Sequence, residues 1–154
     1  MNMEYRIADQ NDTELLMDIR LKMLRTVNGL PDDYEFSQEL TGYLREYFLS
    51  GDHTTCLALD SGTAVGCASI SYYELMPTFD HPTGRRAHIM NVYTDESSRR
   101  KGIAKRLVLT LTARAKERGV TEISLDTTES GRPFYEKLGF RASEECMVMI
   151  LKDL

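Results

Sequence analysis

The sequence predicts a mixed α/β (α+β) domain: one central sheet, mixed but mostly antiparallel, with helices on both faces. Three observations carry this. The apolar pattern switches between strand and helix periods in the order β-α-α-β-β-β-α-β-α-β. Asp60-Ser61-Gly62 joins two strand-like runs, the signal of an antiparallel hairpin. A strand, a helix and a further strand then follow one another over 87–127, which implies a parallel pair with a right-handed crossover. A chain of 154 residues fits a single domain over 1–154, long enough to bury a core.

Each element has its own warrant. Glu4 to Ala8 (EYRIA) is a short first strand. Asp12 or Thr13 can cap a helix over 13–28, whose apolar positions Leu16, Ile19, Met23 and Val27 step by three and four. Asn28-Gly29 ends it. Ser37 can cap a second helix to Leu49, with Leu40, Tyr43, Leu44, Tyr47 and Phe48 on one side. Strands follow over 53–59 and 63–74, then a loop over 76–86 holding two prolines and a glycine. A strand over 87–94 (AHIMNVYT) leads through a basic turn into a helix over 102–118 that stops at Gly119. The strand 122–127 (EISLDT), a short helix 133–138 and a final strand 140–151 complete the chain.

Bulk properties exclude several classes. The net charge is −5, so general nucleic-acid binding is not expected. Cys56, Cys67 and Cys146 are widely spaced, odd in number and free of any Cys/His pattern, which argues against a disulfide framework and against a metal site. All three lie in apolar strand-like contexts and are expected to be buried thiols. No signal-peptide pattern and no apolar run of membrane-spanning length is seen, so a cytoplasmic location with no membrane partner is expected.

The most informative segment is Arg99-Arg100-Lys101-Gly102-Ile103-Ala104. A strand, a basic turn with a glycine and a helix start make an anion cradle: the first helical N–H groups lack internal partners and sit at the positive end of the helix dipole. Arg99, Arg100, Lys101, Lys105 and Arg106 place five cations in eight residues of an acidic chain, a local anion site rather than a polycationic surface. A solvated basic helix start is the plainer alternative. A second segment, Gly131-Arg132-Pro133-Phe134-Tyr135-Glu136-Lys137-Leu138-Gly139-Phe140, reads as a one- to two-turn helix whose Tyr135 is either a packed ring with a wet hydroxyl or a proton donor.

Arg99, Gly102 and Ala104 fit the pattern Arg/Gln-x-x-Gly-x-Gly/Ala, and Phe134-Tyr135-Glu136-Lys137-Leu138-Gly139-Phe140 follows about thirty residues later, after one helix and one strand. Together these resemble the GNAT superfamily of acetyl-CoA-dependent N-acetyltransferases, over nearly the whole chain. The resemblance implies the GNAT-like acyl-CoA N-acyltransferase fold. It implies acetyl-CoA as cosubstrate, its pyrophosphate held by Arg99, Arg100, Lys101, Gly102, Ile103, Ala104 and Lys105. It implies a pantetheine arm paired with Val92, Tyr93 and Thr94 and lying between that strand and 122–127, with one N–H, that of Val92, polarising the thioester carbonyl. Tyr135 matches the family's general acid. Thr128 stands where many members carry a cofactor-holding asparagine, and Ala104 replaces the commoner glycine.

The acceptor implied is a small-molecule or peptide primary amine. Its general base is sought among Glu74 at a strand end, Asn91 through a water, His81 in the long loop, and Glu35. His88 is expected to be packed in the core. The acceptor site is expected between the helices of 13–49, the 76–86 loop and the C-terminal strand, where the acidic 32–35 patch could attract an amine. The apolar run Cys146-Met147-Val148-Met149-Ile150-Leu151 in the last strand suggests a homodimer through that edge. Two other readings compete: a non-catalytic acyl-CoA-binding sensor or interaction module on the same fold, and an unrelated phosphate-binding α/β protein. The second lacks both a Walker motif and a GxGxxG fingerprint.

Overall fold

The computed structural model describes residues 2–153. The strands are β1 (Met3–Ile7), β2 (His53–Asp60), β3 (Thr63–Glu74), β4 (Arg85–Thr94) and β5 (Glu122–Leu125). The helices are α1 (Thr13–Val27), α2 (Gln38–Ser50), α3 (Ile103–Glu117) and α4 (Arg132–Lys137). One five-stranded sheet runs in the order β1-β2-β3-β4-β5. The first three pairings are antiparallel and β4–β5 is parallel, with α3 as the crossover. This is the mostly antiparallel mixed sheet that the element order predicts. In the β2–β3 turn Ser61 and Gly62 have φ of 50° and 85°, the double left-handed conformation a two-residue hairpin needs.

Strand alternation divides the core into two layers. Cys56, Ala58, Ala68, Ile70, Ala87 and Ile89 face α3, which seats Ile103, Leu107, Val108, Leu111 and Ala115 on them. The alanines let α3 approach the sheet closely, and truncating Leu107 or Leu111 there would cost about 2–5 kcal/mol. The opposite face carries Leu57, Leu59 and Cys67 under Leu16 and Met17 of α1 and Phe48 of α2. Helices therefore cover both faces. Among the described residues no helix is long and apolar enough to cross a membrane.

The start of α1 is built differently from the expected simple cap. A 3-10 turn, Gln10–Asp12, precedes it and is capped by Asp9. The Asp12 carboxylate is taken by Arg6 in two hydrogen bonds of 2.8 Å and by the Asp9 N–H at 2.9 Å, so it does not cap α1. Ser37 does cap α2, accepting from the Leu40 N–H at 3.1 Å.

The final strand predicted over 140–151 does not form. Arg141 to Ile150 carry no strand pairing and are exposed throughout, ahead of a 3-10 turn at Leu151–Asp153. An apolar run fixes that a segment wants a covered sheet edge; it does not fix whose edge, and a strand without a partner is only extended backbone. Cys146 lies in this segment and is exposed, so the expectation of three buried thiols fails there, whereas Cys56 and Cys67 are buried.

Candidate active site

The sheet is interrupted where β4 is most useful to a ligand. On β3 only Ala68 lies between the pairs Cys67↔Tyr93 and Ser69↔Met90, while β4 supplies Asn91 and Val92 in the same interval. This is a β-bulge, and Asn91 takes a left-handed φ of 60° to make it. On the other side of β4 the parallel register ends at Ile89↔Leu125. From Met90 to Thr94 that edge has no strand neighbour among the described residues. Val92, Tyr93 and Thr94 thus present backbone groups to an opening between β4 and β5, available to an extended ligand.

The opening leads to the basic turn. Arg100 has a φ of 64° and Gly102, at the N-cap of α3, a φ of 77°. No side chain caps α3, so its first N–H groups are free to meet an anion. A Cβ on Gly102 would meet nothing within 4 Å, which leaves its outer face clear. Arg99 Nε donates to Thr94 O at 3.2 Å and ties the turn to the end of β4. The side chains of Arg99, Arg100 and Lys101 are exposed beside it. These features fit a CoA: an unpaired strand edge for an amide-bearing arm, and uncapped N–H groups with cations for a pyrophosphate.

Tyr135 of α4 packs on the core cluster that Val92 and Leu125 also flank. Its ring meets Phe134 and Phe140 edge-on, with centroids 4.9 and 5.9 Å apart. Burial pushes its hydroxyl above the ordinary tyrosine range, so it holds its proton. Thr128 is exposed, and its hydroxyl is engaged locally: 3.0 Å from Ser130 Oγ and accepting from the Gly131 N–H at 3.2 Å.

Under the bulge, between α1, α2 and the sheet, lies a cavity of about 190 Å³. Leu44 and Phe48 of α2 and Met90 give it apolar walls; Arg20, Tyr47, Ser69, Ser71 and Asn91 bring polar groups to it. The Tyr47 hydroxyl is 2.6 Å from Ser71 Oγ. Asn91 Oδ1 is buried and has no hydrogen-bond partner among the described residues. Arg20 has no carboxylate within ion-pair distance among the described residues, and burial lowers its pKa from the ordinary arginine value. Of the segments expected to form the acceptor site, the first two helices line this cavity, and the 76–86 loop and residues 140–151 do not.

Other candidates lie elsewhere. Glu74 pairs in register with Arg85, at the opposite end of β4 from Val92 and roughly 20 Å away by strand rise. It lines a separate cavity with Arg85, Arg86 and Arg118. His81 is at that end too, its Nδ1 2.8 Å from Thr121 Oγ1. Glu35 is exposed in the α1–α2 loop. His88, expected in the core, is half-buried opposite Ser71, on the same sheet face as the cavity. Its Nδ1 is 2.7 Å from Ser124 Oγ and its Nε2 3.6 Å from Asp126 Oδ2. The sequence places Arg20 in the expected acceptor region, but an arginine on a surface helix gives no hint that its counterion is missing. Among the described residues no group of three or more His, Cys, Asp or Glu side chains could hold a metal ion.

Comparison with known proteins agrees with this geometry. A Trypanosoma brucei brucei protein named glucosamine 6-phosphate N-acetyltransferase is 38% identical over 87 residues, 56% of this chain and 57% of that relative's length. An Arabidopsis thaliana protein of the same name is 29% identical over 114 residues, 74% of each chain. Among solved structures, a Clostridium acetobutylicum protein described as a predicted acetyltransferase, crystallised with acetyl-CoA, superposes with a TM-score of 0.84 at 32% identity, covering 99% of this chain and 98% of that one. The sequence profile of the Acetyltransferase (GNAT) family matches residues 18–140, and the chain belongs to that family.

Proposed function

We propose that this chain is an N-acetyltransferase that moves the acetyl group of acetyl-CoA onto a primary amine by direct attack. The observation that carries this is the opening of the sheet at the Asn91–Val92 bulge, which has an uncapped basic helix start on one side and the cavity lined by Arg20 and Asn91 on the other. A cosubstrate and an acceptor can meet there. Bound acetyl-CoA supplies an activated acyl thioester. Arg99 to Lys105 would hold its pyrophosphate, chiefly by backbone N–H groups, and Val92 to Thr94 its arm. The Val92 N–H would stabilise charge developing on the thioester carbonyl oxygen.

As the amine nitrogen bonds to the acyl carbon, the carbon–sulfur bond breaks and the sulfur takes the Tyr135 hydroxyl proton. The amine's own proton passes to water in the cavity, and His88, on the same face, is the base that receives it. Glu74 is too far along the strand for either step.

The test is thiol release from acetyl-CoA across a panel of amines. Amine-dependent release supports the transferase. Tight acetyl-CoA binding with no release for any amine would favour the sensor reading. Both named relatives suggest glucosamine 6-phosphate for the panel.

The assembly in which it works is proposed to be a homodimer. Among the described residues no strand pairs with the outer edge of β5, and residues 141–150 are a strand-like run without a partner, with Met147 96% and Val148 81% exposed. Each copy therefore has an idle edge and an idle strand. Laying the segment of one copy on β5 of a second satisfies both.

A further inference from the structure

The cavity under the bulge has mostly apolar walls, and two polar groups at it lack a protein partner among the described residues; they differ in kind. Asn91 Oδ1 is a hydrogen-bond acceptor without a donor, on a residue only 9% exposed. A buried acceptor of this sort costs free energy unless a ligand or an ordered water completes it. Its own amide nitrogen is turned toward Cys67 Sγ, 3.7 Å away, which sets the oxygen's direction. Arg20 is a half-buried cation with no side-chain hydrogen bond and no carboxylate partner among the described residues. The other half-buried arginines each have a partner: Arg6 with Asp12, Arg86 with Glu122, and Arg25 with the Tyr34 carbonyl, to which it donates twice. The Arg20 guanidinium meets solvent at the cavity and no counterion, so an anionic group bound there would complete it. This is the arrangement expected when the counterion arrives with a ligand.

We propose that this cavity takes an acceptor that carries an anionic group as well as its amine. Arg20 pairs with the anion, a phosphate or a carboxylate, through its planar fork. Asn91 Oδ1 accepts a hydrogen from the amine and keeps it beside Val92, the next residue on β4. Ser69, Ser71 and Tyr47 line the space between, but their hydroxyls are paired within the protein, Tyr47 with Ser71 and Ser69 with Thr55, so Arg20 and Asn91 carry the recognition. This deepens the transferase reading and rests on it for the identity of the amine, but the anion site is testable by binding alone.

The test is calorimetry on the protein loaded with CoA, using glucosamine 6-phosphate, glutamate and uncharged-tail glucosamine as probes. The phosphate and carboxylate arms distinguish the two sources of the anion. At least one anionic probe is expected to bind about 10- to 100-fold more tightly than glucosamine, as a charge-assisted contact implies, and Arg20→Gln is expected to remove that difference. Arg20→Lys, which keeps the charge without the fork, is expected to fall between. Binding of acetyl-CoA to each variant checks its fold. Equal affinity for all three probes, no binding of either anion, or a preference that survives in Arg20→Gln would overturn the proposal. Thiol release measured in parallel separates the two readings. Arg20-dependent anion binding without release contradicts the transferase and leaves the anion site standing; release with glucosamine and no anion preference does the reverse.

Discussion

Asn91 and Cys67 hold each other across the β3–β4 bulge: the Cys67 thiol is 3.5 Å from Asn91 O, and Asn91 Nδ2 is 3.7 Å from Cys67 Sγ. The thiol is pushed up to about 12 by burial, so it acts here as a neutral latch and not as a nucleophile. The latch fixes the bulge, and the bulge fixes both the free Val92 backbone and the free Asn91 oxygen.

Substitutions at Asn91 separate those two roles. Asn91→Ala must hold a left-handed φ without asparagine's tolerance for it and should melt lower than Asn91→Gly by about 1 kcal/mol. Both lack the carboxamide, so both should raise the acceptor KM. Thermal melts and steady-state kinetics check the pair. Equal stability would mean that the bulge does not depend on the residue's conformation.

Tyr135→Phe should lower kcat by about 10²-fold, the low end of general-acid contributions, with acetyl-CoA affinity nearly unchanged. Burial raises the hydroxyl's pKa, so activity should not fall through loss of this proton until the pH passes the ordinary tyrosine value of about 10. A fully active Tyr135→Phe variant removes the residue from the chemistry.

The Arg6–Asp12 pair predicts acid sensitivity. The Arg6 hydrogen bonds hold the Asp12 carboxyl below the usual carboxylate range. The unfolded chain then binds the proton first as pH falls. The pair's contribution is therefore full above about pH 4 and lost as pH drops through the folded value. Wild-type melting temperature should fall on that limb more steeply than that of Asp12→Asn, followed by circular dichroism. Asp12→Ala should cost about 1–3 kcal/mol at neutral pH.

Light scattering checks the exchanged C-terminal strand. The proposed dimer doubles the 17.6 kDa chain, and deleting residues 146–154 should return a monomer. In the dimer Cys146 should react slowly with a thiol reagent. A monomer at micromolar concentration with fast Cys146 contradicts the exchange; a monomer with protected Cys146 means the segment has closed on its own β5.

The fold was legible wherever local periodicity decided it. The Asp60-Ser61-Gly62 hairpin, the Ser37 cap and the α3 crossover all follow from patterns within a few residues. The basic turn of 99–105 was legible for the same reason. What needed pairing information was not. Residues 140–151 have the composition of a strand, but their partner is not encoded near them. Glu74 looks like a base candidate until the register sets it beside Arg85. The bulge left one faint mark, an asparagine in the middle of an otherwise strand-forming run, since asparagine disfavours strands and tolerates positive φ. His88 was misplaced because strand alternation names two faces without saying which holds the cavity.

The most direct measurement is calorimetric binding of acetyl-CoA to the wild type, to Gly102→Glu and to Gly102→Ala. Both substitutions carry the backbone cost of a φ of 77°, but only glutamate puts a carboxylate at the uncapped start of α3. Tight binding by the wild type, retained largely in Gly102→Ala and lost in Gly102→Glu, is the predicted result. No binding by the wild type, or undiminished binding by Gly102→Glu, would contradict the assignment of this turn as the CoA phosphate cradle.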